Sequence, residues 1–135
     1  MLYVTRREVF SASHRLYNEQ LTADENVLLY DKCSNPYGHG HNFILEVVVC
    51  GEVDKKTGYV IDLKILKKIV KEKIIEKVDH RSLNYEVDFL TGINPTAENI
   101  CIAIWNQLKD AIPSGKLHSV KLFETENNYV EYKGE

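Results

Sequence analysis

From Phe43 to Val53 β-branched and apolar residues dominate, and this stretch constrains the fold more than any other part of the chain. A run of that composition and length fits a β-strand in the interior of a sheet. It falls far short of the 18 or more apolar residues that a membrane span requires, so no transmembrane helix is expected. The segment Leu2–Arg15 alternates loosely, with Val4, Val9 and Phe10 among polar neighbours, and reads as a second strand.

The rest of the chain supplies the partners for these strands. Leu16–Gly38 carries Asn, Asp, Pro and Gly without a period and reads as a long functional loop. Asp54–Gly58 reads as a turn, and Asp62 can N-cap a helix whose apolar positions Leu63, Leu66, Ile69, Val70, Ile74 and Val78 follow the 3.6-residue period. A further helix is expected from Asn94-Pro95-Thr96 through Ile100, Ile104, Leu108 and Ile112, stopped by Pro113-Ser114-Gly115. Ser119–Glu124 and Tyr129–Lys133 then form a hairpin through Glu126-Asn127-Asn128. The expected fold class is α+β in the order ββααββ, a four-stranded antiparallel sheet with two helices on one face. Residues 1–135 make one domain, and the open edges of such a sheet point to assembly through the sheet.

Composition narrows the function. With 44% hydrophobic and 27% charged residues the chain is an ordinary globular one rather than a disordered segment. A net charge of −3 gives no basic footprint for nucleic acid. Cys33, Cys50 and Cys101 form no CxxC pair, which argues against a disulfide framework. Cys50 and Cys101 sit in apolar segments and read as packing. Met1–Arg7 lacks an apolar core of signal-peptide length, so a cytoplasmic location and no membrane partner are expected.

The densest chemical feature is His39-Gly40-His41. In an extended segment residues i and i+2 share a face, so both imidazoles can reach one ion. His14, at the end of the first strand, supplies a third ligand if the two strands pair. Three neutral imidazoles leave zinc its full charge and an open coordination position. Cys33 reads either as a thiolate base near that cation or as a fourth ligand closing a structural site. Asp79-His80 ends the first helix, either as a cap or as a carboxylate that orients an imidazole for proton transfer. Glu124 is either a solvated loop residue or an acceptor for the N–C–N edge of a pterin or guanine. His118 has no partner in sequence and reads as surface or packing.

These pieces occur together in one order: Phe10-Ser11-Ala12-Ser13-His14-Arg15-Leu16, Cys33 through Asn42, Asp79-His80, Thr96-Ala97-Glu98-Asn99, and Glu124-Thr125-Glu126-Asn127-Asn128. In that combination the chain resembles the 6-pyruvoyl-tetrahydropterin synthase family, which includes the 6-carboxytetrahydropterin synthases, over essentially its whole length. The resemblance implies the T-fold and a Zn2+ ion held by His14, His39 and His41. It implies Cys33 as the catalytic cysteine, Asp79 and His80 as its proton-relay partners, and Glu124, with Thr96 and Glu98, as pterin contacts. It further implies a homohexamer, a dimer of trimers, with active sites between subunits. The implied reaction is conversion of 7,8-dihydroneopterin triphosphate to 6-pyruvoyl-tetrahydropterin, a lyase step with no redox cofactor. The Cys33-x5-His39-x-His41 spacing resembles the pyruvoyl-forming branch. The alternative is the 6-carboxytetrahydropterin synthase reaction of queuosine biosynthesis, which releases acetaldehyde from the same substrate. An aldolase-like activity on dihydroneopterin and a zinc-stabilised binding module that is not an enzyme are the remaining readings.

Overall fold

Two long strands carry the architecture, and both begin or end on the histidines singled out above. In the computed structural model, which describes residues 1–135, β1 (Leu2–His14) and β2 (His39–Gly51) pair antiparallel from Leu2↔Gly51 to His14↔His39. Between them lies α1 (Ala23–Tyr30), followed by a 3-10 turn at Asp31–Ser34. Then come α2 (Leu63–Val70), a π-type turn (Lys71–Ile75) and α3 (Glu76–Val78), which run on as one rod, and a short β3 (Arg81–Ser82). The chain ends with α4 (Ala97–Leu108), β4 (Lys116–Phe123) and β5 (Tyr129–Tyr132).

The sheet order is β3-β1-β2-β4-β5. It is a five-stranded mixed sheet with three helices (α1, the α2–α3 rod and α4), not the four-stranded antiparallel sheet with two helices that the sequence suggested. The added strand is β3, which runs parallel to β1 through Ala12↔Arg81 and Ser13↔Ser82. Two residues are too few to show any alternation. The added helix is α1, in the stretch expected to be a loop. Its Val27, Leu28 and Leu29 are all exposed and its buried residue is Asn26, so it has no apolar stripe and hence no period. A legible signal was there: Thr22 and Glu25 form a capping box, each side chain bonding the other's backbone N–H at 3.1 Å. The α4 helix also stops at Leu108, short of Ile112.

One face of the sheet is covered by α2, α3 and α4. Phe10, Phe43, Leu45, Val47, Val120 and Leu122 from the strands meet Leu66, Val70, Ile74, Ile100, Ile104 and Leu108 from the helices in one buried cluster. Asp62 caps α2 by accepting from the Lys64 N–H at 2.8 Å, as the sequence predicts. The opposite face leaves Tyr3, Val9 and Tyr129 open. No helix is long and apolar enough to cross a membrane. The three cysteines are unpaired; Cys50 and Cys101 are buried, and burial pushes the Cys101 thiol up to about 11.

Candidate active site

The helix-covered face continues past the apolar core at one end of β1 and β2, and there its inward positions change from apolar to imidazole. The register makes this unavoidable: Phe10 lies opposite Phe43, Ala12 opposite His41 and His14 opposite His39. Because alternate residues of a strand share a face, His14, His39 and His41 stand above the stacked Phe10–Phe43 floor, whose ring centroids are 5.0 Å apart. Glu124, just past the end of β4, joins them with its carboxylate 3.3 Å from His41 Nε2. One ligand atom from each of the four lies within 4.8 Å of all the others.

His14 is 2% exposed and its Nδ1 is 2.8 Å from the Pro95 carbonyl oxygen. A carbonyl only accepts, so Nδ1 carries the proton and Nε2 presents its lone pair 3.1 Å from His39 Nε2. Burial holds the His14 and His41 rings below the usual imidazole value, opposed in each case by the Glu124 carboxylate. Both rings therefore stay neutral at pH 7, the form that binds a metal. His41 Nε2 is buried without a hydrogen-bond partner. Tetrahedral zinc with Zn–N bonds of about 2.0–2.1 Å places its nitrogens about 3.3 Å apart. The donors fit a zinc ion.

The residues expected to act with this cluster divide into two groups. Cys33, in the 3-10 turn, comes to the His14 end of β1: its carbonyl accepts from the Leu16 N–H at 2.8 Å. Its thiol is not among the converging donors. Thr96 N-caps α4 by accepting from the Asn99 N–H at 3.1 Å, directly after the Pro95 that supports His14, and Glu98 is exposed in the first turn of that helix.

Asp79 and His80 pair with each other, Nδ1 of His80 lying 3.0 Å from the Asp79 carboxylate. They sit elsewhere. His80 lines an open cavity of about 460 Å³ with Ser11, Ser13, His41, Asn42 and Arg81. In β1 and β2 the positions of Ser11, Ser13 and Asn42 point away from the face that carries His14 and His41. Sequence reasoning read Asn94 and Pro95 only as a helix start, where Thr96 is in fact the cap, and passed over Asn84. Their value at the site lies in carbonyl and amide groups that the fold brings to the end of β1.

The model of the family described as 6-pyruvoyl tetrahydropterin synthase matches residues 3–135. The chain belongs to that family. Its similarity to the 6-pyruvoyl tetrahydrobiopterin synthase of Homo sapiens is 47% identity over 132 residues, 98% of this chain and 91% of the relative. A solved structure of Caenorhabditis elegans 6-pyruvoyl tetrahydropterin synthase is 38% identical, covers 99% of this chain and 96% of its own, and superposes with a TM-score of 0.93. A more distant relative, the 6-carboxy-5,6,7,8-tetrahydropterin synthase of Rickettsia felis, is 30% identical over 97% of this chain and 99% of the relative. As a member of the 6-pyruvoyl tetrahydropterin synthase family the chain is an enzyme, and the histidine cluster with Glu124 is a set of donors that could hold a metal.

Proposed function

We propose that the protein converts 7,8-dihydroneopterin triphosphate to 6-pyruvoyl-tetrahydropterin, a carbon–oxygen lyase reaction in which the triphosphate leaves. The convergence of His14, His39 and His41, with His14 fixed in one tautomer, carries the reading. A zinc ion held by these three imidazoles supplies a Lewis acid that polarises the substrate's side-chain oxygens. Cys33 as thiolate moves protons between the side-chain carbons and the ring. Glu124 accepts hydrogen bonds from the amino-pyrimidinone edge of the pterin, with Thr96 and Glu98 as further contacts. Asp79 holds His80 through Nδ1–H, which leaves the opposite ring nitrogen free to exchange a proton. The oxidation change is internal to the substrate, so no redox cofactor takes part.

The site is shared between subunits of a homohexamer in this proposal. Two features support it. Asp79 and His80 are held at the edge of β1 by the Ser11 backbone and do not join the histidine cluster of their own chain, so a second chain would supply the pair that completes the set. In addition, β3 covers β1 only at Ala12 and Ser13, which leaves the Leu2–Phe10 edge free to pair with a neighbour. Light scattering should give a mass six times that of the 15.6 kDa chain.

The 6-carboxytetrahydropterin synthase reaction is the second reading, favoured by the likeness to the Rickettsia protein. The six-residue step from Cys33 to His39 favours the first. A binding module closed by Cys33 is disfavoured, because Glu124 rather than Cys33 completes the cluster. Incubating the zinc-loaded protein with 7,8-dihydroneopterin triphosphate and weighing the product decides. 6-Pyruvoyl-tetrahydropterin with free triphosphate is expected; acetaldehyde with a 6-carboxy product would install the second reading.

A further inference from the structure

We propose that Asn94 is a positioning residue that ties the metal-facing side of the site to the segment carrying Cys33. Through the Pro95 carbonyl it sets which nitrogen of His14 faces the cluster, and through Tyr30 it holds the turn that presents the thiol. The inference rests on the reading of His14 as a ligand and of Cys33 as the acting thiol.

The proton on His14 Nδ1 is there because one oxygen, that of Pro95, accepts it. The Pro95 carbonyl shares its peptide plane with the Thr96 N–H, so its direction follows the bond that this N–H makes to the Asn94 carbonyl and hence the placement of Asn94. Asn94 is held at four points. Its carbonyl accepts from the Thr96 N–H at 2.8 Å and from Asn99 Nδ2 at 2.9 Å. Its side-chain Oδ1 accepts from the Tyr17 N–H at 3.2 Å, and its Nδ2 donates to the Tyr30 hydroxyl at 3.1 Å.

Tyr17 stands three residues after His14 on the same exit from β1. The bonds therefore close a ring: His14 runs along the chain to Tyr17, Tyr17 binds Asn94, Asn94 is joined to Pro95, and Pro95 binds His14. Tyr30 ends α1 immediately before the Asp31–Ser34 turn that contains Cys33. One carboxamide thus touches both branches, and it must accept on one side while meeting a hydroxyl on the other. An aspartate keeps both contacts, because the Tyr30 hydroxyl can turn to donate. An alanine keeps neither.

Three variants separate the branches: Asn94→Ala, Asn94→Asp and Tyr30→Phe, each checked by thermal unfolding. The readouts are the His14 ring tautomer in the metal-free protein by long-range proton–nitrogen NMR, the absorption spectrum and affinity of Co2+, and the rate of Cys33 alkylation by iodoacetamide followed by peptide mass. In Asn94→Ala the His14 ring should become a mixture of tautomers, Co2+ should bind about 10- to 100-fold more weakly, and Cys33 alkylation should change severalfold. Asn94→Asp should restore all three. Tyr30→Phe should change alkylation alone.

A folded Asn94→Ala protein with the wild-type tautomer and alkylation rate overturns the proposal. Should that variant not fold, unchanged alkylation in Tyr30→Phe overturns it. A wild-type protein that takes up no metal would sink the zinc reading instead, while the tautomer measurement still decides the role of Asn94.

Discussion

Ser11 grips Asp79 and its neighbour with both of its backbone groups: its N–H donates to the Asp79 carboxylate at 2.9 Å, and its carbonyl accepts from the His80 N–H at 2.6 Å. His80 adopts a left-handed conformation, φ +60°, which is uncommon for a residue other than glycine. The Ser11 bond is also the main reason that the Asp79 carboxyl lies below its ordinary value of 3.8, with burial opposing and His80 adding to the effect. Asp79 is therefore fully ionised at neutral pH. Its contribution to stability is present above that ordinary value and is lost as pH falls through the lowered one.

Asp79→Asn should preserve the shape of this corner and damage the chemistry. Ser11 N–H and His80 Nδ1 meet the same carboxylate oxygen, so the amide oxygen keeps both contacts, and the substitution removes the negative charge that supports a protonated His80 ring. Turnover should fall about 10²- to 10⁴-fold, the range of a lost acid–base relay. Zinc content and pterin affinity should match the wild type. Steady-state kinetics with metal analysis checks this, and a variant within twofold of wild-type kcat would return the pair to a structural cap.

Gly38→Ala should disturb the metal cluster from outside it. Gly38 has φ +72°, and a Cβ there would lie 2.8 Å from the His14 carbonyl oxygen, closer than real contacts allow. Strain of about 1–3 kcal/mol follows from the conformation, and its relief would move the end of β1. The unfolding midpoint and bound zinc should both decrease; full zinc at a lowered midpoint would show that the ligand end of the strand is stiffer than this contact implies.

The parts of the molecule that bury a patterned face were legible in the sequence. Leu66, Val70, Ile74 and Val78 announce their helix because each buries a side chain on one stripe, and the β2 run announces itself because both of its faces are largely covered. The three histidines were legible as well, since a two-residue spacing in a strand and a third imidazole on its partner leave little choice of face. What could not be read depends on contacts distant in sequence. Asn26, wholly buried, folds its amide onto the Asn18, Leu21 and Thr22 carbonyls, and a buried asparagine in a polar segment looks like any turn residue. The position of Asp79 and His80 at the edge of β1 follows from their bonds to the Ser11 backbone, which pattern alone does not connect to residue 79. The link from His14 to Pro95 spans most of the chain and uses a backbone oxygen, which every residue possesses.

Glu8→Gln should destabilise the protein at neutral pH more than at acid pH. Glu8 shares the inward face of β1 with Phe10 and is 5% exposed. Burial pushes its carboxyl up, but hydrogen bonds from Arg6 at 2.7 Å and Lys71 at 3.2 Å outweigh it and hold the carboxyl below the ordinary 4.5. A carboxylate with a lowered folded value stabilises above the ordinary one, and that stabilisation is lost as pH falls through the lowered value. The loss in Glu8→Gln should be about 1–3 kcal/mol at pH 7, since both cations reach solvent. Urea midpoints at pH 7 and about pH 3 should show the gap between variant and wild type closing. A gap independent of pH would mean that packing rather than charge is lost.

Glu124 and Cys33 should fail in opposite ways. The Glu124 carboxylate lies 3.3 Å from His41 Nε2, near enough to the cluster to serve as a metal ligand as well as a pterin acceptor. If its work is to accept two hydrogen bonds from the pterin edge, Glu124→Gln turns one acceptor into a clashing donor and weakens binding by about 2–4 kcal/mol, or roughly 30- to 1,000-fold. The three imidazoles still hold the metal, so zinc content should be unchanged. Cys33→Ala should keep both zinc and pterin affinity and abolish turnover, as expected for a group that acts in the transition state. Titrating a pterin analogue into each variant by calorimetry, with zinc measured on the same samples, separates the roles. Loss of zinc in Glu124→Gln would make the carboxylate a fourth ligand, and wild-type pterin affinity there would leave it no part in substrate recognition.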